Sequence, residues 1–144
     1  MVTATQLYSG SVFTDDRGHL SFVNDFDFKD VKRFYQVQNH KAGFIRAWHG
    51  HQREGKYIYV VKGSAIVGCV KMTTSLTDIS PQKFTLSDKT PKVLWIPPGY
   101  YNGFMSLSDD TTIQFFSTST IEESKGDDIR MPWNQWNIWD VEYR

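Results

Sequence analysis

The chain has 144 residues, of which 40% are hydrophobic and 22% are charged, so it can bury a core and is not a disordered tail. Sixteen basic residues balance sixteen acidic ones, which removes the general basic excess typical of nucleic-acid-binding proteins. The single cysteine excludes an internal disulfide and a cysteine-rich zinc site. No signal peptide and no run of roughly 20 apolar residues is visible. We therefore expect a single soluble, cytoplasmic domain over residues 1–144.

Short strand-like runs separated by turn signals follow one another along the chain, and 15% of the residues are aromatic, which suits pleated, half-buried surfaces. Gly18 is expected to turn a first hairpin. The predicted strands are 31–38, 56–61, 65–72, 93–96 and 111–116. The turn 62–64 is expected to join the second and third of these strands as a hairpin. A loop with an edge strand is predicted between Thr73 and Thr90, and a short helical turn at 121–128.

The lengths of these runs predict the fold class. Strands of about five residues joined by tight turns, without covering helices, favour an all-β double sheet or barrel. A jelly-roll barrel of this size leaves an interior wide enough for a small ligand.

The densest chemical segment of the sequence is R-A-W-H-G-H at 46–51. His49 and His51 are two residues apart on a strand and point to the same face. Arg46 lies three residues before His49 and faces the other side of an ideal strand, so the two share a pocket only if the strand is bulged. Histidine is suited to proton transfer near neutral pH. Two surface histidines, or two hydrogen-bonded core histidines, are the alternative interpretation.

Several stretches resemble known families. The H-x-H pair, the turn Lys62-Gly63 and the later Pro97-Pro98-Gly99 resemble the two motifs of the cupin superfamily. Four stretches resemble, in the same order, motifs of the dTDP-4-keto-6-deoxysugar 3,5-epimerases: 15–18, 46–49, 56–63 and 95–104. The stretches 32–35 and 46–51 are similar to the sugar-nucleotide 3,4-ketoisomerases. The resemblance implies a cupin jelly-roll β-barrel, and the sequence looks like a mixture of the two branches.

The resemblance also implies a chemistry. Both branches act on a nucleotide-linked 4-keto-6-deoxy sugar, whose ketone acidifies the neighbouring C–H bonds. A base forms an enolate, and an acid returns a proton to the opposite face or to another atom. By resemblance His49 is the base, and His51 is a second base or orients the substrate. Arg46 and Arg17 are expected to hold the diphosphate, Arg17 across a subunit interface, and Lys56 to lie near the enolate oxygen or a phosphate.

Some positions depart from the epimerase pattern. Phe115 stands where that branch has a tyrosine acid, and Asn102 replaces a histidine, so Asn102 can hydrogen-bond substrate but is not a base. Tyr35 and Tyr101 are the candidate replacement acids, or else core residues with satisfied hydroxyl groups. Tyr101 and Arg33 are also candidate substrate-binding residues. These departures favour a single epimerisation or a ketoisomerisation over a double epimerisation, and they also permit a catalytically idle relative.

Two histidines in an H-x-H pair can also ligate a metal ion. Gly43, His49 and His51 fit the first motif of metal-binding cupins, but Glu54 comes one residue too early and Asn102 replaces the second-motif histidine. We therefore expect no metal and no cofactor. A sugar-nucleotide-binding cupin without turnover and a metal-dependent cupin enzyme remain the alternative hypotheses.

The last 24 residues carry a different pattern. Trp133, Trp136 and Trp139 recur at every third position. We expect them to pack against the barrel or a partner subunit rather than to stack on a nucleobase. The resemblance implies a homodimer that binds a nucleotide sugar, with no nucleic-acid or membrane partner.

Overall fold

The computed structural model describes residues 3–73 and 80–144, which are mostly antiparallel strands. The elements are β1 (Gln6–Ser9), β2 (Ser11–Asp15), β3 (Gly18–Phe22), β4 (Arg33–Asn39), β5 (Ile45–His51), β6 (Lys56–Lys62), β7 (Ser64–Lys71), β8 (Gln82–Ser87), β9 (Lys92–Ile96), β10 (Tyr100–Ser106), β11 (Thr111–Ser117), α1 (Ile121–Lys125) and β12 (Ile129–Arg130). One sheet has the order β1-β9-β6-β11-β4 and the other β12-β5-β10-β7-β8. The strands β2 and β3 form a separate two-stranded sheet. The predicted all-β class is confirmed.

The main core lies between the two five-stranded sheets. Alternate apolar residues of the central strands meet there, including Ile58, Val67, Leu94, Phe104 and Phe115. Both sheets are also covered on their outer faces, one by the segment before β4 and the other by the C-terminal tail. Strand β10 is consequently buried along its whole length. Its continuous burial fixes the position of the residues that it presents to the interior.

The C-terminal tail packs against the barrel, as expected, through Trp136 and Trp139, whereas the third tryptophan, Trp133, is 49% exposed. Trp136 and Trp139 lie against Trp48, a fully buried residue of β5. The indole nitrogens of Trp48 and Trp139 both donate to the carbonyl of Trp133, each at 3.1 Å. A Cβ at Gly68 would lie 2.5 Å from the Trp48 ring, so this indole needs a glycine opposite it. The tail is thereby fixed beside the strand that carries both motif histidines.

The predicted strands agree with the observed ones to within one or two residues at most ends, but one predicted pairing is wrong. Strand β6 pairs with β9 and β11, whereas β7 pairs with β8 and β10. The turn at Gly63, with φ of +82°, therefore carries the chain from one sheet to the other instead of closing a hairpin. Both strands are central in their sheets, so each already has neighbours on both sides.

Other predictions are confirmed. The hairpin at Gly18 forms between β2 and β3, an edge strand (β8) follows Thr73, and the helical turn is α1. The first part of the predicted loop, 74–79, lies outside the described residues. The sequence did not predict β10, whose Asn102-Gly103 has turn composition. No helix within residues 3–73 and 80–144 has the length and apolar character needed to cross a membrane.

Candidate active site

A cavity of about 490 Å³ opens between the two sheets. Its walls come from β4, β6 and β11 of one sheet and β5 and β10 of the other, and α1 and β12 close one side. The charged side chains in the lining are the cationic Arg33, Arg46, Lys56, Lys125 and Arg130 and the carboxylates Glu54 and Asp128. Cations outnumber carboxylates, so the cavity suits an anionic ligand such as a diphosphate.

A bulge in β5 brings Arg46 and His49 to the same wall. Asn102 of β10 pairs with His49, but Phe104, only two residues later, pairs with Arg46, three residues before His49. The strand β5 therefore contains one extra residue, which reverses the side to which Arg46 points. Both side chains line the cavity, so the strand contains the bulge that a shared pocket requires. The Nε of Arg46 donates to Oδ1 of the buried Asn39 at 2.7 Å, which fixes the guanidinium.

His49 is a neutral imidazole at neutral pH. Burial lowers its pKa to about 4, and the nearby cations Arg130 and Lys56 contribute, whereas Asp128 opposes the shift. The Asn102 side-chain nitrogen donates to the His49 carbonyl at 3.3 Å, so this predicted substrate-binding residue also fixes the backbone of β5. The unprotonated imidazole in the cavity is available to accept a proton.

His51 is held from behind by Asp127. The Nδ1 of His51 lies 2.6 Å from the Asp127 carbonyl, which can only accept, so this nitrogen carries a proton. The Asp127 carboxylate accepts from the backbone N–H groups of Gln52, Arg53 and Glu54 at 2.8, 2.9 and 3.0 Å. One buried aspartate thereby fixes both the ring of His51 and the loop that follows β5.

Glu54 lies at the centre of a group of charged and titratable side chains on the cavity wall, formed with Arg33, His51 and Lys56. Its carboxylate lies 3.3 Å from the Arg33 guanidinium, 3.5 Å from Lys56 Nζ and 3.6 Å from His51 Nε2, and the residue is only 3% exposed. From the sequence alone, Glu54 was a candidate only for a metal ligand. The sequence feature that could have indicated a role in the site is its position between the motif stretches 46–51 and 56–63. Within residues 3–73 and 80–144, no group of three His, Cys, Asp or Glu residues is arranged to hold a metal ion.

Tyr35, a candidate acid, lines the wall opposite β5. Its ring stacks on Phe115 with centroids 5.0 Å apart and planes 8° apart, and the Arg33 guanidinium lies 4.9 Å from its centroid. Lys56 Nζ lies 5.7 Å from the Phe115 centroid and 6.0 Å from that of Tyr35. Phenol, ammonium and guanidinium groups therefore face the cavity from the sheet that does not carry His49.

Two predicted residues do not reach this cavity within one chain. Tyr101 lies on the opposite face of β10 from Asn102, and its ring packs 5.2 Å from that of Trp136. Arg17 extends from the β2–β3 hairpin with 86% of its side chain exposed, and it forms an ion pair with Asp15 at 2.6 Å. Alternation along the strand explains the first placement, and the detached hairpin explains the second.

Two charged residues beside His49, Asp128 and Arg130, were not predicted from the sequence. Arg130 in β12 pairs with His49 of β5, and its side chain forms an ion pair with Asp128 at 3.1 Å. The hydrogen bond from Arg130 lowers the pKa of the Asp128 carboxyl group. Both residues line the cavity beside His49. The run D-D-I-R at 127–130 was the only signal in the sequence, since it lies outside the motif stretches.

Comparison with known proteins gives the family. The family model described as dTDP-4-dehydrorhamnose 3,5-epimerase matches residues 3–140. The spore coat polysaccharide biosynthesis protein SpsL of Bacillus subtilis strain 168 is 27% identical over 138 residues, which is 91% of each chain. The dTDP-4-dehydrorhamnose 3,5-epimerase of Bacillus anthracis, solved with TDP and PPi bound, superposes with a TM-score of 0.80 at 21% identity over 96% of this chain and 86% of that one.

A ketoisomerase has the same fold. A double mutant of the QdtA 3,4-ketoisomerase of Thermoanaerobacterium thermosaccharolyticum, solved in complex with TDP, superposes with a TM-score of 0.69 at 20% identity over 91% of this chain and 90% of that one. These likenesses confirm the cupin jelly roll, and the family match confirms the expected class, a nucleotide-sugar epimerase or isomerase. Because the family model spans almost the whole chain, the protein belongs to the dTDP-4-dehydrorhamnose 3,5-epimerase family.

Proposed function

We propose that the protein moves a proton on a carbon beside the ketone of a nucleotide-linked 4-keto-6-deoxy sugar, with His49 as the base. The observation that carries the proposal is a neutral imidazole in a cavity where cationic side chains outnumber carboxylates. The imidazole has the free lone pair that proton abstraction needs, and the cations stabilise the negative charge that abstraction creates.

The positions of the charged residues support a different role for each of them around the substrate. Arg46 uses Nε to bind Asn39, which leaves its terminal nitrogens for a phosphate. Lys56 comes from the sheet opposite His49. A sugar ring between the two sheets therefore has the base on one side and an ammonium group on the other, beside the developing enolate oxygen.

Hydrogen exchange tests this function. The protein is incubated in deuterated water with dTDP-4-keto-6-deoxyglucose, and NMR follows the carbons beside the ketone. We expect deuterium to enter at one of these carbons, and no exchange in the corresponding 4-hydroxy sugar nucleotide, whose C–H bonds are not acidified. Binding of the keto sugar without exchange would instead indicate a cupin that binds sugar nucleotides without turnover.

The positions of His49 and Tyr35 favour epimerisation at a single carbon. Inversion requires a proton to leave from one face of the ring and to return on the other. His49 and Tyr35 lie on opposite sheets, and both line the cavity. A 3,4-ketoisomerisation is the second candidate, because the H-x-H pair and the stretch 32–35 resemble that branch, and one base on one face suffices for it.

Replacing Tyr35 by Phe separates the two reactions. For epimerisation we expect product formation to fall by about 10²- to 10⁴-fold, the range for loss of a general acid, while deuterium exchange at the carbon beside the ketone continues. The measurement is NMR of product and exchange in the same sample. Tyr59→Phe, on β6, is the matched control. Unchanged formation of an epimer in Tyr35→Phe would refute Tyr35 as the acid, whereas unchanged formation of a 3-keto product would support isomerisation by His49 alone.

The acid limb of the pH profile reports the state of His49. A base acts only when unprotonated, so kcat/KM is expected to stay high below the ordinary histidine pKa of 6.5 and to fall as the pH passes about 4. Initial rates are measured at each pH, and circular dichroism records whether the fold persists. A limb near 6.5 in folded protein would contradict the lowered pKa of His49, because an imidazole with its ordinary pKa would give that limb.

We further propose that the chain acts as one cupin domain within a cytoplasmic homodimer. The exposed side chains of Phe13 and Leu20 on the β2–β3 hairpin, 60% and 61% accessible, give a second copy an apolar surface. Arg17 on the same hairpin would then reach the partner's cavity and bind the diphosphate. A molecular mass of one chain by light scattering would contradict the dimer.

A further inference from the structure

The cavity has an aromatic floor, formed by Phe104 of β10 and Phe115 of β11. The two rings line the cavity from opposite sheets, and their centroids lie 6.1 Å apart. These residues are only 5% and 4% exposed. The cations Lys125 and Arg130 line the same cavity but expose 65% and 66% of their side chains. The aromatic floor therefore lies beneath a cationic mouth.

This contrast between floor and mouth separates the chemical groups of a sugar nucleotide. The diphosphate is anionic and is stabilised by cations. The ketone and the hydroxyl groups of the sugar need hydrogen-bond partners, because an unpaired polar group is costly to bury. A phenyl ring offers neither a donor nor an acceptor, so an apolar substituent is the group that can lie against the floor without this penalty. In a 4-keto-6-deoxy sugar that substituent is the methyl group on C5.

The position of Lys56 relates this methyl group to Phe115. Lys56 pairs with Ser117, two residues from Phe115, and its Nζ lies 5.7 Å from the Phe115 centroid. In the proposed function Lys56 faces the ketone oxygen on C4. The methyl group is on C5, the next carbon of the ring, so a sugar with its ketone at Lys56 can place the methyl group against Phe115. The reversed sugar would instead bury its C3 hydroxyl group there, unpaired.

We propose that the aromatic floor, through Phe115, makes the site specific for a 6-deoxy sugar by binding its C5 methyl group. Phe115 stands where the epimerase pattern has a tyrosine, and the phenyl ring supplies an apolar contact in place of a phenol hydroxyl group. A sugar with a hydroxyl group on C6 would bury that group against the floor. The inference rests on the proposed function, because it takes the orientation of the sugar from the ketone at Lys56.

Binding of two sugar nucleotides to the unaltered protein tests the floor. The compounds are dTDP-quinovose and dTDP-glucose, which differ only by the hydroxyl group on C6, and neither carries a ketone. Calorimetric titration gives their dissociation constants. We expect dTDP-glucose to bind about 10- to 10²-fold more weakly, the range for a hydroxyl group added in an apolar pocket.

The outcomes separate this inference from the proposed function. Equal affinities would overturn the role of the floor, and hydrogen exchange in the keto sugar would then still uphold the proposed function. If neither compound binds and the keto sugar shows no exchange, both proposals fail. Weaker binding of dTDP-glucose supports the floor whether or not exchange is observed.

Replacing Phe115 by Tyr tests the residue itself. The added hydroxyl group gives a C6 hydroxyl group a partner, so the ratio of the two dissociation constants should fall roughly 5-fold, the size of one hydrogen bond. Phe116→Tyr is the matched control, because the Phe116 ring packs against Phe28 outside the cavity lining. An unchanged ratio in Phe115→Tyr, or an equal fall in both variants, would refute the role of Phe115. If Phe115→Tyr does not fold, the two affinities of the unaltered protein decide.

Discussion

Replacing His49 by Asn is expected to lower kcat by about 10²- to 10⁴-fold, the range for loss of a general base. Asparagine keeps the polarity and approximate size of the side chain but has no basic nitrogen. The fold should persist, because the contact made to Asn102 by residue 49 uses its backbone carbonyl. Deuterium exchange beside the ketone should be lost together with turnover, since both begin with the same proton abstraction.

His40→Asn is the matched control for this variant, because His40 is an exposed histidine in a turn outside the cavity lining. It should exchange and turn over substrate like the unaltered protein. Exchange at the normal rate in His49→Asn would refute the base assignment. Loss of exchange in both variants would show that the effect does not come from the cavity.

Replacing Asp127 by Asn is expected to lower the free energy of unfolding by about 3 kcal/mol. The carboxylate accepts from three backbone N–H groups of the loop after β5, two of them on the same oxygen. An amide offers one acceptor and places its NH₂ group against the donors. Burial raises the pKa of Asp127, but the three hydrogen bonds together lower that pKa by more than burial raises it. The net shift of the pKa is therefore downward. Their contribution is thus complete at neutral pH and is lost as the pH falls through the lowered pKa.

Urea unfolding measures this loss, with Asp25→Asn, at an exposed aspartate, as the control. Activity should fall as well, because the same loop carries Glu54. Equal unfolding midpoints for Asp127→Asn and Asp25→Asn would contradict the role assigned to the buried carboxylate.

The sequence predicted those parts of the site that lie on single strands with a recognisable motif. The spacing of Arg46, His49 and His51 required a bulge in β5, and the structure contains it. Residues of the site that come together from distant segments were not predictable in this way. Glu54 acquires its partners from β4, β5 and β6, and Asp128 reaches His49 only because the tail pairs with β5.

Pairing between strands shows the same limit. The turn at Gly63 has the composition of a hairpin, and local chemistry could not show that β6 and β7 belong to different sheets. The choice depends on competition among all strands for neighbours, which is a property of the whole barrel. The hairpin at Gly18 was predictable because β2 and β3 pair only with each other.

The indole-anchored tail has a consequence for synthesis of the protein. One rim of the cavity is built from Asp128 and Arg130, and the segment that carries them is held by Trp136 and Trp139, which follow all the barrel strands in the sequence. A nascent chain that has released β1 to β11 therefore has both histidines but neither the rim nor the tryptophans that hold it. Catalytic competence should therefore arise only after residues 128–139 have emerged and packed against β5, and not gradually as the barrel strands emerge.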